Sequence, residues 1–130
     1  MTGPVHVRYV SGESYEIGVR QHRLLVDQSS GAGADEAPNP TEMFVASLAA
    51  CVAYTAGRYL SRHGLSRDGL TVSAEYDVAE HPARVSAVRL TLNVPGGVPD
   101  DRRDPLLAVA GHCAVHNTLT HSPAVNVQLG

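Results

Sequence analysis

Near the start of the chain, apolar and polar residues alternate in the way that is typical of strands with one buried face. The alternation covers residues 5–9 and 15–19, and Ser-Gly-Glu at 11–13 supplies turn residues between them, so the pattern predicts a hairpin. A third strand is expected over residues 23–27. The Gly-, Ala- and Ser-rich stretch over 29–38 then predicts a mobile surface loop.

The same alternation returns in the second half of the chain. Residues 70–78 and 88–94 each carry apolar residues at every second position, and a turn over 79–83 separates them. This pattern predicts an antiparallel pair of strands. Residues 125–129 place Val, Val and Leu at alternate positions and are expected to end the chain as a short strand.

The stretch from Met43 to Gly57, MFVASLAACVAYTAG, has fifteen residues without a charge and predicts a long core helix. Asn39 is a favourable N-cap, Pro40 suits the first helical position, and Glu42 stands where a capping box requires an acid. The helix is expected to run to about His63. Because its middle is apolar all round, we expect burial on every side.

Two shorter helices are predicted near the end of the chain. Asp104 followed by Pro105 indicates a helix start, and that helix is expected to reach Gly111. Residues 113–120 predict a further helical segment. Together, the elements predict one α+β domain over residues 1–130, with helices on one sheet face. One sheet covers only one side of an apolar helix, so a homodimer is expected to cover the other.

The composition narrows the range of partners. The net charge is -3 and no run of Lys or Arg occurs, so no nucleic-acid partner is expected. The uncharged stretch is shorter than the roughly 20 residues that a membrane span needs, so no membrane partner is expected either. The start of the chain lacks the pattern of a secretion signal, which predicts a cytoplasmic protein whose two cysteines are reduced at rest.

The strongest chemical signal is a pair of cysteines, Cys51 inside the uncharged stretch and Cys113 in GHCAVHNTL. A thiolate reduces peroxides when a second thiol traps its oxidised form, although a lone buried cysteine is more often part of the packing. The alternative for this region is a zinc site, since His112, Cys113 and His116 are close in sequence and could serve as ligands. No fourth ligand is evident. No phosphate loop, dinucleotide fingerprint or serine nucleophile motif occurs, and neither a cofactor nor a metal is expected.

Two segments carry a resemblance to a known family: APNPTEMFVASLAAC over residues 37–51 and HCAVHNTL over residues 112–119. With the order of the predicted elements, they resemble the OsmC/Ohr family of osmotically inducible and organic hydroperoxide resistance proteins across nearly the whole chain. The resemblance implies an intertwined homodimer with two long central helices wrapped by antiparallel sheets. It also implies a two-cysteine peroxidase whose preferred substrate is an organic hydroperoxide.

The resemblance assigns roles by position. Cys51 matches the peroxidatic cysteine, which becomes a sulfenic acid, and Cys113 matches the resolving cysteine, which condenses with it to a disulfide. An external dithiol reductant would then restore both thiols. Glu42 matches the helix-start Glu that holds an activating Arg, and is for that reason a third candidate catalytic residue.

Three alternatives stay open in the sequence. The hairpin turn contains no Arg, so Arg8, Arg20 or Arg23 would have to lie near Cys51 instead. In a straight helix Glu42 stands roughly 13 Å from Cys51 along the axis and on the opposite face, so it serves either the partner's site or only its own cap. The alternative function is a non-catalytic OsmC-like dimer that binds a small apolar ligand.

Overall fold

The computed structural model describes residues 3–130, and within them the chain forms five strands and three helices. In chain order these are β1 (Val5–Ser11), β2 (Ser14–Val19), β3 (His22–Val26), α1 (Pro40–Arg62), β4 (Thr71–Ala79), β5 (Arg84–Asn93), α2 (Asp100–Ala110) and α3 (Ala114–Thr120). Both sheets are antiparallel. The predicted α+β class is therefore confirmed. The chain divides into two compact units, one ending at Phe44 and one running from Val45 to Gly130, and a single domain over residues 1–130 stays a prediction.

The first unit contains a sheet with strand order β1-β2-β3. Arg8 is paired with Glu16, and Gly18 with Arg23, so these side chains share one face, which we call the polar face. Most apolar residues alternate with them and point the other way, whereas Leu25, the sheet partner of Glu16, lies on the polar face. That apolar face is largely exposed in the single chain, with Val7 at 59% and Tyr9 at 57% of full exposure. The predicted hairpin and third strand are confirmed.

The loop after β3 is organised around a buried carboxylate. Asp27 is only 1% exposed, and its side chain accepts the backbone N–H groups of Gln28 at 2.7 Å and Glu36 at 3.2 Å. The backbone N–H of Asp27 donates to the carbonyl of Pro38 at 3.1 Å. A side chain at Gly33 would lie 2.7 Å from the Asp27 carboxylate, so only glycine fits there. The composition of this stretch predicts a loop but not this arrangement.

Helix α1 begins and ends where its capping signals predict. Asn39 and Glu42 form a capping box, in which the backbone N–H of Asn39 donates to Glu42 at 2.9 Å and that of Glu42 donates to the Asn39 side chain at 2.8 Å. Gly64 follows the helix with a positive φ of 68°. The expectation of burial on every side is not met in the single chain, since Tyr54 is 64% exposed. One stripe is buried: Val45, Leu48, Val52, Ala56, Gly57, Tyr59 and Leu60.

The length and apolar character of α1 also satisfy the requirements of a membrane-crossing helix, with a mean hydropathy of 1.3 over its best 18-residue window. Core helices of soluble proteins satisfy the same requirements, so this is weak evidence for a membrane span.

The second unit packs the greater part of α1 with α2, α3 and the β4-β5 hairpin around one hydrophobic core. Helix α2 starts four residues earlier than expected, at Asp100, and Pro105 lies inside it. The true start is Pro99 followed by Asp100 and Asp101, where two acids stabilise the positive end of the helix. Pro105 removes one backbone donor and does not stop the helix.

The predicted C-terminal strand is absent. Residues 122–130 form neither helix nor strand, and Val125, Val127 and Leu129 are 78%, 94% and 100% exposed. Alternation alone does not make a strand, because a strand needs a neighbour to accept and donate its backbone hydrogen bonds. Within the described residues, no strand of this chain pairs with that segment.

Candidate functional site

Cys51 lies midway along α1 and is half-buried. Its side chain packs against the core cluster of the second unit, which includes Cys113. The capping box starts the helix at Pro40, and the 3.6-residue period then places Cys51 beside the buried position Val52. The thiol therefore stands at the margin of the core, where it is partly open to solvent.

Cys113 is the N-cap of α3 and is only 3% exposed. Its sulfur accepts the backbone N–H of His116 at 3.4 Å, so the side chain satisfies one of the unpaired donors at the helix start. Burial raises the pKa of the Cys113 thiol, the His116 N–H lowers it, and a hydrogen bond with Cys51 raises it. The net direction is upward, so Cys113 holds its proton near neutral pH.

The structure brings the two predicted thiols into direct contact. Cys51 and Cys113 are joined by a side-chain hydrogen bond, and both are free cysteines. Because Cys113 keeps its proton, its S–H is the donor in this hydrogen bond and the Cys51 sulfur is the acceptor. This arrangement places a buried thiol against a half-exposed one, and a disulfide requires such proximity of the two sulfurs.

The histidines near Cys113 do not form a metal site with it. His112 lies in the turn before α3, where its Nδ1 pairs with the carbonyl of Ala108. Among residues 3–130, no three His, Cys, Asp or Glu side chains are placed to hold a metal ion. His116 is instead notable for a buried Nδ1 that has no hydrogen-bond partner within the described part of the chain. The sequence pattern gives no signal for this buried nitrogen.

Glu42 is engaged by the capping box at the start of α1, and its side chain is exposed. Its catalytic role stays a prediction. Glu42→Gln preserves the box, since glutamine also serves at this position, but removes the charge that would hold an Arg. We expect Glu42→Gln to leave the free energy of unfolding nearly unchanged, whereas Asn39→Ala lowers it by about 1 kcal/mol. Urea denaturation of both variants measures this, and equal losses in the two would show that the glutamine does not preserve the box.

The three candidate activating arginines lie in the first unit. Arg8 and Arg23 approach the same carboxylate, with distances of 3.1 and 3.6 Å to Glu16 Oε1, and Arg20 lies in the turn between β2 and β3. No cationic side chain contributes to the pKa of Cys113. Which of the three, if any, activates Cys51 stays a prediction.

The fold and the site together define an α+β protein in which a thiol on the long helix α1 interacts with a second thiol at the start of α3. The sequence model for OsmC-like proteins matches residues 33–128, and the chain belongs to this family. A comparison with the curated proteins finds no significant match.

Solved structures share the fold at low sequence identity. A protein from Psychrobacter arcticus 273-4 has a TM-score of 0.82 at 22% identity, covering 91% of this chain and 90% of that one. An organic hydroperoxide resistance protein, OsmC, from Legionella pneumophila has a TM-score of 0.69 at 18% identity, covering 92% and 90%. An organic hydroperoxide resistance protein from Elizabethkingia anophelis has a TM-score of 0.71 at 18% identity, covering 94% and 91%.

Proposed function

We propose that this protein is a cysteine-based peroxidase that reduces organic hydroperoxides. The observation that carries the proposal is the hydrogen bond between the Cys51 and Cys113 side chains, with one thiol half-exposed and the other buried. A buried cysteine alone indicates packing, but two free thiols in contact form a redox pair. The names of the Legionella and Elizabethkingia structures agree with this substrate class.

Cys51 is the group that attacks the peroxide. It is the more accessible thiol, and the Cys113 S–H is placed to donate to its sulfur and to stabilise a thiolate there. The thiolate attacks one oxygen of the O–O bond, which breaks. One oxygen stays on sulfur as the sulfenic acid, and the other takes up a proton and leaves as the alcohol.

Cys113 completes the reaction. Its sulfur attacks the Cys51 sulfenic acid, a disulfide forms, and the hydroxyl group leaves as water with the proton from Cys113. The proton on Cys113 prevents premature oxidation, since the thiolate is the reactive form and burial keeps this thiol protonated. An external dithiol then reduces the disulfide by exchange and is itself oxidised to a disulfide. We place this cycle in the cytoplasm, where reduced dithiols are maintained.

The proposal includes a homodimer. The single chain leaves apolar surfaces exposed on two elements, at Tyr54 of α1 and at Val5, Val7 and Tyr9 of β1. A soluble protein rarely leaves so much apolar surface open, and a second copy would cover it. Sedimentation equilibrium is expected to give twice the mass of one chain, and a monomer at micromolar concentration would exclude the dimer.

The test of the peroxidase is the mass of the protein after oxidation. Treatment of the reduced protein with cumene hydroperoxide, followed by intact mass analysis, is expected to show the loss of two hydrogens and the disappearance of both free thiols. A Cys51-Cys113 disulfide is then expected in the peptide map. Two thiols that survive excess peroxide would reject the proposal and favour the non-catalytic dimer that binds a small apolar ligand.

A further inference from the structure

A cavity on the polar face of the first sheet has three arginines among its eight lining residues. It has a volume of about 330 Å³. Arg8, Arg20, Arg23 and His6 surround it, and Glu16 is its one acidic residue. Three guanidinium groups line the cavity with one carboxylate, so these four groups leave a surplus of two positive charges in a chain of net charge -3.

The guanidinium groups of Arg8 and Arg23 are held in place by a carboxylate that they share and that does not neutralise both. Glu16 Oε1 lies 3.1 Å from Arg8 Nε and 3.6 Å from Arg23 Nε, so one carboxylate is shared by two arginines. Arg23 Nη1 also donates to the carbonyls of Arg20 and His22, at 3.3 and 3.1 Å, which fixes its plane. Within residues 3–130, the Arg20 guanidinium has no hydrogen bond or ion pair, and all five of its donors are available.

The backbone makes room for this arrangement. Gly18 is the partner of Arg23 in the sheet, and a side chain there would lie 3.3 Å from Arg23 Nη1. Glycine in a strand interior weakens the strand, and here it admits the guanidinium close to the backbone. Arg20 has a positive φ of 53°, a conformation that favours glycine. A non-glycine residue in this conformation is unfavourable, so the turn keeps Arg20 at a cost in stability.

The polar face stays accessible when the apolar face is covered. Successive side chains of a strand point to opposite sides of the sheet, so a partner that packs on Val7 and Tyr9 leaves Arg8 and Arg23 open. The side chains of Arg8 and Arg23 are 66% and 59% exposed. The cavity is thus a surface site whose ligand would arrive from solvent.

We propose that this cavity binds the phosphate group of a small phosphorylated molecule. A phosphomonoester carries a charge of about -1.5 to -2 near neutral pH and presents three acceptor oxygens, which match a surplus of two positive charges on convergent guanidinium forks. A carboxylate carries one charge and two oxygens, and would leave one arginine unpaired. The volume accommodates a phosphate together with a small organic group. The site uses neither Cys51 nor Cys113, so its failure would leave the peroxidase proposal intact.

The test is a titration of the full-length protein, at low salt, with three probes: phenyl phosphate, inorganic phosphate and benzoate. Calorimetry gives the affinity, and ¹⁵N-resolved NMR shifts locate the site. Phenyl phosphate is expected to bind at least about tenfold more tightly than benzoate, because a dianion meets all the guanidinium groups. Shifts are expected in β1, β2 and the β2-β3 turn. Inorganic phosphate that binds as tightly as phenyl phosphate would identify free phosphate as the source.

Two variants separate binding from folding. Arg20→Gly relieves the backbone strain of the positive φ, so we expect its unfolding midpoint in urea to be no lower than that of the parent protein. Because it also removes a guanidinium, we expect its affinity for phenyl phosphate to be about tenfold lower. Glu16→Gln removes the competing carboxylate and is expected to tighten binding severalfold. Arg84→Gln is the matched control: Arg84 caps carbonyls of Glu80 and Pro82 in the other unit, and its loss is expected to leave affinity unchanged.

Three results would overturn the assignment. The first is no heat and no shift with phenyl phosphate at millimolar concentration. The second is benzoate binding as tight as that of phenyl phosphate. The third is an Arg20→Gly variant that binds like the parent protein, which would show that binding, if any, lies elsewhere.

Discussion

Cys51→Ser is expected to reduce the proposed peroxide turnover of this protein to the uncatalysed rate. The serine hydroxyl fills the same space on α1, but it does not ionise near neutral pH and does not reduce an O–O bond. Cys113 does not take over, because burial raises the pKa of its thiol and it is only 3% exposed. The measurement is the rate of cumene hydroperoxide consumption in the presence of excess dithiol, with far-ultraviolet circular dichroism to confirm the fold.

Cys113→Ser is the matched control, since it removes the second thiol and leaves the first. This variant is expected to complete one attack and to gain one oxygen as the Cys51 sulfenic acid, or more with excess peroxide, and to form no intramolecular disulfide. The two variants therefore give different masses after the same treatment. Peroxide consumption that persists in Cys51→Ser, or a gain of oxygen on Cys113 in that variant, would reverse the assigned roles.

Leu106→Ala is expected to lower the free energy of unfolding by about 2 to 5 kcal/mol. Leu106 is 4% exposed and belongs to the core cluster of the second unit, together with Leu60 and Ala110. Truncation removes buried methyl groups and leaves a cavity that a close-packed core fills only partly. Urea denaturation with a common m-value gives the difference, at a fixed protein concentration because the proposed dimer contributes to stability.

The neighbouring residue provides the control for that prediction. Leu107 lies in the same helix with the same intrinsic propensity, but it is 57% exposed. Leu107→Ala is expected to cost below about 1 kcal/mol, since little surface returns to water. Equal losses in the two variants would mean that the exposed position is covered in solution, and that the burial found in the single chain is incomplete.

The sequence predicts correctly the elements whose capping and turn residues lie directly beside them in the chain. The Asn39-Glu42 box and Gly64 bracket α1 in the structure as they do in the sequence. The start of α2 was predicted wrongly because Asp104-Pro105 imitates a helix start, whereas the acids at 100 and 101 occupy the real first turn. The C-terminal alternation predicted a strand that has no neighbour within the described chain, and a strand without a ladder is not stable.

The sequence predicts some residues of the candidate site and misses others. Cys51 and Cys113 were found by their motifs, which reflect residue identity and order. The sequence does not predict the cluster of Arg8, Glu16 and Arg23, although it offers both arginines as candidates, because a cluster depends on strand register across three strands. The buried Nδ1 of His116 has no sequence signal, since burial of one side of a short helix depends on what packs against it.

The sequence by itself determined the α+β class, the hairpins and the extent of α1, because turns, caps and periodicity act between residues a few positions apart. Only the tertiary structure decided that Cys113 caps α3 with its sulfur against Cys51, and that Asp27 is buried among backbone donors. Those contacts arise when separate elements pack around a common core or when a loop closes on itself. Such closure is a property of the folded chain, and no short stretch of residues encodes it.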